Sequence, residues 1–109
     1  MSKNYIGLDN NKVEGIVKSL NDYLANLNLL YVKLHNLHWN VQGHSFFQLH
    51  AVFEGYYEGV AKSLDEVAER ILTLGARPYA SMKDYLEIAT IKELDSKGLT
   101  GDEAIGILE

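Results

Sequence analysis

Residues Val13–Leu34 of this 109-residue chain, VEGIVKSLNDYLANLNLLYVKL, carry the clearest signal of its fold. Its apolar residues recur in alternating steps of four and three, the pattern of one stripe along a helix. They are Val13, Val17, Leu20, Leu24, Leu27, Tyr31 and Leu34. No proline interrupts the stretch. We therefore expect a helix that begins near Asp9 or Asn10 and ends before Gly43, with about 30 residues and a length of about 45 Å.

A second stripe with the same steps predicts a second long helix. It comprises Leu49, Phe53, Tyr56, Val60, Leu64, Val67, Ile71 and Leu74. Ser45 is placed to be its N-cap, Gly75 its C′ residue, and Pro78 blocks any continuation. A short loop around Gly43 joins the two helices, so the sequence predicts an antiparallel hairpin whose two stripes form the core.

The remaining sequence predicts short helical segments. Ser81–Asp84 opens a short helix that continues to about Ile88, and Thr100–Glu103 has the form of a capping box at the start of a third helix. No apolar alternation is long enough to predict a substantial strand. We expect an all-α fold in a single domain over residues 1–109.

Composition excludes several classes of protein. The chain has no cysteine, which excludes a disulfide framework and thiolate metal sites. It has no run of 18 apolar residues and no signal-like N-terminus, so we expect a soluble cytoplasmic protein without a membrane segment. Ten Lys and Arg against fifteen Asp and Glu give a net charge of -5. A negative net charge disfavours a protein whose main task is to bind the phosphates of nucleic acids.

Four polar residues share one face of the second helix. His50, Glu54, Asp65 and Glu69 lie within about 100° of one another on a helical wheel, away from the apolar stripe. One helix cannot bring all four to one ion, because His50 and Asp65 are separated by about 22 Å of rise. The four positions are, however, symmetric about the midpoint between residues 59 and 60. An antiparallel two-fold contact would place His50 opposite Glu69 of the partner subunit, and Glu54 opposite Asp65 of the partner subunit.

His38 lies near the end of the first helix and supplies a second imidazole beside the same loop. Taken alone, His38 is more often a packed histidine and the carboxylates a solvated acidic face. Together, two imidazoles and three carboxylates suit Fe or Mn better than Ca, Mg or structural Zn. The pattern therefore predicts an iron site, with Zn²⁺ as a possible substitute.

Several segments resemble the Dps family, the mini-ferritins of starved bacterial cells. These are Leu34-His-Asn-Leu-His-Trp-Asn-Val-Gln-Gly43, Phe46-Phe-Gln-Leu-His50, Asp65-Glu-Val-Ala-Glu-Arg-Ile-Leu72 and Pro78-Tyr-Ala-Ser-Met-Lys-Asp-Tyr-Leu86. The resemblance covers essentially residues 10 to 105. It implies a ferritin-like four-helix subunit, a short helix in the connection, a twelve-subunit cage, and a ferroxidase centre between two-fold-related subunits.

The resemblance also assigns roles to single residues. The metal ligands that it implies are His38, His50 and Glu54 from one chain, with Asp65 and Glu69 from the partner subunit. Glu54 is Asp in many family members. Trp39 matches a tryptophan beside the centre that is thought to donate electrons. The implied activity is oxidation of Fe(II) by hydrogen peroxide and storage of ferric iron, which protects the cell from oxidative damage.

Against the family pattern, the sequence reaches only the start of the third long helix, near Leu108 and Glu109. Either the sequence is one piece of a split or cleaved chain, or two hairpins pair to give four helices per dimer. A non-catalytic helical fragment or assembly is thus an alternative function. A DNA-compacting protein is another, but direct DNA binding is disfavoured because the N-terminus offers only Lys3 and Lys12 and the net charge is negative.

Overall fold

The computed structural model describes residues 10–108, and the expected all-α architecture is confirmed. Two predicted positions, Asp9 and Glu109, and the basic residue Lys3 lie outside the described residues. The elements in chain order are α1 (Asn10–Asn40), β1 (Val41–Gln42), α2 (Phe46–Thr73), α3 (Met82–Ile88), β2 (Leu99–Thr100) and α4 (Gly101–Leu108). None of the helices in this part of the chain combines the length and apolarity needed to cross a bilayer.

The predicted end of α2 is confirmed in detail. Gly75 has a φ of 82°, and its N–H donates to the carbonyl of Leu72 at 2.9 Å. The N–H of Ala76 donates to the carbonyl of Ile71 at 3.2 Å, which completes a Schellman motif. At the other end, Ser45 occupies the predicted N-cap position, but its side chain makes no capping hydrogen bond.

The hairpin core consists of two clusters, one at each end. The loop-end cluster comprises Leu34, Leu37, Val41, Phe53, Leu99 and Ala104. The far-end cluster comprises Val13, Val17, Leu24 and Ile71. Residues from the N-terminal part of α1 thus meet the C-terminal part of α2, which confirms the antiparallel hairpin.

The α2 stripe was wrong at one position. Tyr56 is half exposed, whereas its neighbour Tyr57 packs against the loop-end cluster and meets the ring of Tyr31 edge-on. Both tyrosines fit a step of three or four from Phe53, so spacing alone does not choose between them. Tyr57 is the buried one because the rings of Tyr31 and His35 on α1 pack against it.

Three asparagines of α1 hold the connection between α2 and α4. Asn21 accepts a hydrogen bond from the N–H of Tyr79 at 3.0 Å. Asn26 accepts from the N–H groups of Thr90 and Ile91, at 2.8 and 2.9 Å. The Asn36 amide donates to the carbonyls of residues 94 and 95. These contacts fix a segment that has little regular structure of its own.

One long-range feature was not expected from the sequence. β1 and β2 form a short parallel pair in which Val41 lies beside Leu99 and Gln42 beside Thr100. Gly98 precedes this pair, and a Cβ there would come within 2.5 Å of the Gln42 side chain. The pair brings the start of α4 to the hairpin loop and buries Leu99 and Ala104 in the loop-end cluster.

The predicted caps of the two short helices are confirmed. The Ser81 hydroxyl accepts from the N–H of Asp84 at 3.2 Å, which caps α3. At α4 the Thr100 N–H donates to Glu103 Oε1 at 3.0 Å, and the Glu103 N–H donates to Thr100 Oγ1 at 3.2 Å. This reciprocal pair is a capping box.

Candidate metal centre

His38, His50 and Glu54 converge at the loop end of the hairpin. One potential ligand atom from each lies within 4.8 Å of those of the other two. Two atoms bound to one ion at about 2.1 Å are at most about 4.2 Å apart, so the group is close to the spacing of a metal site. In the part of the chain that the structure describes, one group of three or more His, Asp or Glu side chains has this spacing, and it consists of His38, His50 and Glu54.

The two histidines bind each other's backbone. His38 Nδ1 lies 2.5 Å from the carbonyl oxygen of His50, and His50 Nδ1 lies 2.7 Å from the carbonyl oxygen of His38. A carbonyl oxygen only accepts, so each Nδ1 must carry the proton and donate it. In the neutral form of each ring, Nε2 then has a free lone pair, the arrangement in which histidine ligates a metal.

Local structure explains why this exchange forms. The carbonyl of His38 is among the last four of α1 and has no partner within the helix. His50 supplies that partner from the beginning of α2. The two imidazoles then stack with their centroids 3.5 Å apart, and Phe46 stacks on the outer face of His50 at 4.8 Å. The rings are thus held by packing as well as by hydrogen bonds.

The site runs from a buried end to an open end. His38 is only 5% exposed, whereas the Glu54 side chain is 49% exposed. His38 Nε2 and Glu54 Oε1 are 3.9 Å apart. A cation therefore has access from solvent on the carboxylate side and meets the imidazoles below it.

One sequence expectation about this face was wrong. We expected His50 to point away from the hairpin core, together with the carboxylates. Its ring instead packs against His38 of α1, because it lies close to the tight loop where the two helices converge.

Asp65 and Glu69 do not join the group within one chain. Both are exposed on α2, further along the same helix. Gly55 and Gly59 lie between the two sets, and a Cβ built at either glycine would meet no atom within 4 Å. This part of α2 is therefore open in the single chain, and its carboxylates have no histidine of their own chain beside them.

The remaining sequence candidates lie outside the group. Trp39 is 67% exposed, and its ring centroid is 5.2 Å from that of His35. His35 Nδ1 contacts the carbonyl of Tyr31 at 3.0 Å, and His44 is exposed in the loop.

Sequence reasoning missed Tyr57 as a neighbour of the centre. Its ring meets His38 edge-on at 5.3 Å. Burial raises the pKa of the Tyr57 phenol, and the carboxylates of Glu54 and Glu58 raise it further. The phenol therefore stays protonated at neutral pH. The available signal was its position three residues after Glu54, which places both on neighbouring parts of one helix face.

Comparison with known proteins agrees with this fold. A family model described as a ferritin-like domain matches residues 17–106. DNA protection during starvation protein 2 of Bacillus anthracis is 45% identical over 94 residues, which cover 86% of this chain and 62% of that protein. The crystal structure of a Dps protein from Vibrio cholerae is 42% identical with a TM-score of 0.90, and is described as a member of the ferritin-like diiron-carboxylate superfamily. The match covers 99% of this chain and 67% of that one.

A Dps structure from Listeria innocua, soaked with zinc, is 39% identical with a TM-score of 0.79 and matches 84% of this chain and 62% of its own. The chain thus belongs to the ferritin-like family and, within it, to the Dps mini-ferritins. It spans between about half and two thirds of the length of the relatives it matches.

Proposed function

We propose that this protein is a Dps-type ferroxidase that binds Fe(II), oxidises it with hydrogen peroxide, and stores the ferric product. The observation that carries the proposal is the convergence of His38, His50 and Glu54, with each Nδ1 committed to a backbone carbonyl. Packing of this kind without a metal role would not require both Nε2 atoms to remain free beside a carboxylate.

The donor set suits the reaction. Neutral imidazole nitrogens and carboxylate oxygens are the ligands that iron accepts, and carboxylates favour Fe(III) as the positive charge of the ion increases. Two Fe(II) ions supply the two electrons that convert one hydrogen peroxide and two protons into two molecules of water. The paired step releases no hydroxyl radical, so it removes both reactants of a damaging reaction.

We propose further that two chains share each centre. A single chain provides His38, His50 and Glu54, and the symmetric spacing along α2 assigns Asp65 and Glu69 of the partner subunit to complete the set. The open surface at Gly55 and Gly59 supports close approach of two α2 helices. Each dimer then holds two equivalent centres, and a twelve-subunit cage is the assembly that we propose.

A complementation experiment tests the shared centre. His50→Ala and Asp65→Ala chains are each expected to lose peroxide-dependent Fe(II) oxidation. When the two variants are unfolded, mixed and refolded together, each mixed dimer contains one intact centre and one doubly defective centre. Random pairing should therefore restore about a quarter of the wild-type rate, because half of the dimers are mixed and half of their centres are intact.

The controls separate this outcome from misfolding. His44→Ala alters an exposed loop histidine and should leave the rate unchanged. Each variant should keep the wild-type circular dichroism spectrum and oligomer mass. If mixing restores no activity although mixed oligomers form, the centre is not shared between chains. If both variants oxidise Fe(II) at the wild-type rate, His50 and Asp65 have no part in the reaction, and if the wild-type protein does not accelerate Fe(II) oxidation by peroxide, the ferroxidase proposal itself is wrong.

A further inference from the structure

Two large apolar side chains are exposed near the two ends of the face of α2 that carries the carboxylates. Phe47 is 83% exposed and Leu72 is 56% exposed in the single chain. Both belong to α2 (Phe46–Thr73), one at its beginning and the other at its end. On a helical wheel with His50 at zero, Phe47 lies at about 60° and Leu72 at about 40°, within the sector of the four polar residues.

These two positions obey the same two-fold relation as the metal ligands. Positions 47 and 72 are symmetric about the midpoint between residues 59 and 60. An antiparallel contact about that midpoint places Phe47 of one chain opposite Leu72 of the partner subunit at both ends of the interface. Each such pair lies about 4.5 Å beyond the pairing of His50 with Glu69 of the partner subunit. It therefore borders the outer end of each shared centre.

Ordinary surface exposure does not account for the two residues together. A single exposed apolar side chain is common on protein surfaces. Here, however, Phe47 and Leu72 are matched in register and direction, and the face between them carries carboxylates and alanines. These are Ala51, Glu54, Glu58, Ala61, Asp65, Ala68 and Glu69. Within one chain about 37 Å of helix separates the two apolar residues, so only a second chain brings one against the other.

Phe47 is also connected to the candidate ligand His50 through its neighbour Phe46. The Phe46 and Phe47 rings meet edge-on with centroids 5.3 Å apart. The Phe46 ring in turn stacks on His50 at 4.8 Å. A side chain that covers Phe47 from outside therefore restricts Phe46 and, through it, the His50 imidazole.

We propose that Phe47 of each chain packs against Leu72 of the partner subunit and covers the outer end of the shared centre. This rests on the proposed function, because it uses the two-fold contact that completes the ligand set. Phe47 is a positioning residue, since it acts on His50 through Phe46 and touches neither the metal nor the oxidant. Exclusion of water from this end strengthens the attraction between a cation and the carboxylates, because the local dielectric constant falls.

Disulfide cross-linking tests the contact directly, because the chain has no cysteine. Phe47→Cys and Leu72→Cys are combined in one chain, and the metal-free protein is oxidised with diamide. A disulfide needs Cα atoms within about 7 Å, so the two positions of one chain cannot react with each other. We expect most of the protein to run as a covalent dimer on a non-reducing gel, and each single variant to run as a monomer.

The matched control keeps the register but changes the face. Positions 56 and 63 are symmetric about the same midpoint, but they lie about 160–180° round the helix from Phe47. Tyr56 is 52% exposed, so a thiol there is accessible. Tyr56→Cys combined with Ser63→Cys should therefore give no covalent dimer. The proposal is overturned if the 47–72 pair gives no covalent dimer, or no more of it than this control.

Zn(II) binding and proton exchange test the positioning role. Phe47→Ala should weaken Zn(II) binding severalfold at a protein concentration where the variant is still dimeric. In the metal-free protein, the His50 Nδ1 proton should exchange with solvent severalfold faster, as measured by NMR spectroscopy. Phe47→Leu keeps an apolar side chain at this position and should restore both values nearly to those of the wild type. Wild-type Zn(II) affinity and exchange in Phe47→Ala would overturn the positioning role.

The outcomes separate this proposal from the ferroxidase proposal, because cross-linking needs no iron. Cross-linking of the 47–72 pair in a protein that does not accelerate Fe(II) oxidation would reject the ferroxidase proposal and support the apolar contact. Rapid Fe(II) oxidation by the wild type without cross-linking of the 47–72 pair would reject the apolar contact and leave the ferroxidase proposal in place.

Discussion

The two ends of the hairpin solve the same packing problem in different ways. The far-end cluster, around Val13, Val17, Leu24 and Ile71, is apolar and is covered by residues of α3 and the α2–α3 turn. The loop-end cluster draws residues from both long helices, β1, β2 and α4, and it borders two stacked histidines. Polar groups are accepted at the loop end because they satisfy each other across the helices, as buried polar groups must.

The difference indicates where a site can be placed in such a hairpin. His38 lies on the α1 stripe, whose other positions hold leucine, valine or tyrosine. It is tolerated because the carbonyl of His50 lies opposite its Nδ1. The far-end cluster, by contrast, is formed by the apolar side chains of Val13, Val17, Leu24 and Ile71.

The largest effect is expected from core truncation. Phe53→Ala at the loop end should lower the free energy of unfolding by about 3–5 kcal/mol, and Ile71→Ala at the far end by about 2–5 kcal/mol. Both side chains are almost fully buried. Urea unfolding measures the two losses. Zn(II) titration of the folded fraction should show weaker binding in Phe53→Ala only, and equal affinity in both variants would contradict a distinct role of the loop end.

Loss of the histidine pair should have the next largest effect. His50→Ala removes one candidate ligand and leaves the His38 carbonyl without its partner. Loss of a contact that supports a metal ligand typically lowers metal affinity by about 10–100-fold. Loss of the ligand itself should lower the Zn(II) affinity by at least as much. Stability of the metal-free protein should fall by about 1–3 kcal/mol. Calorimetric titration with His44→Ala as control checks the first value, and retained affinity in His50→Ala would exclude it as a ligand.

Replacing the asparagines of α1 that bind the α2–α4 connection should lower the free energy of unfolding by a smaller amount, and by more at one end of the hairpin than at the other. Asn21→Ala leaves the Tyr79 N–H without its partner beside a buried position, which should cost about 1–3 kcal/mol. Asn36→Ala frees carbonyls that water can reach, so the cost should be below about 1 kcal/mol. Urea unfolding with limited proteolysis of the connection compares them, and a greater loss in Asn36→Ala would reverse this view.

The smallest effect is a pH dependence confined to the loop end. A hydrogen bond from the Thr100 N–H, followed by one with its side chain, holds the pKa of Glu103 below its usual value of 4.5. A lowered pKa in the folded state stabilises the protein above pH 4.5, and this contribution is lost as the pH falls towards the lowered pKa. Glu103→Gln should remove that part of the acid dependence.

Thermal unfolding at a series of pH values checks this expectation. The Gly75 motif at the far end contains no titratable group among its hydrogen bonds, so Gly75→Ala should lower stability by about 1–2 kcal/mol at every pH. If Glu103→Gln keeps the full loss of stability at low pH, a carboxylate other than Glu103 is responsible for it.

Much of the fold follows from the sequence because helix signals are local. The steps of three and four predicted α1 and α2, and Gly75, Ser81 and Thr100 marked ends and caps that the structure reproduces. The choice between Tyr56 and Tyr57 was not local. It depended on which ring α1 covers, and a helix spacing of three or four permits both.

The helices, their apolar faces and the symmetric placement of His50, Glu54, Asp65 and Glu69 can all be read from local sequence. Each of these depends on residues a few positions apart. Three features depend on long-range packing: the contact of His50 with His38, the pairing of β1 with β2, and the position of Tyr57 between the centre and His35. These contacts join segments with no common periodicity, so they are set by how the helices pack and by which polar groups must find a partner.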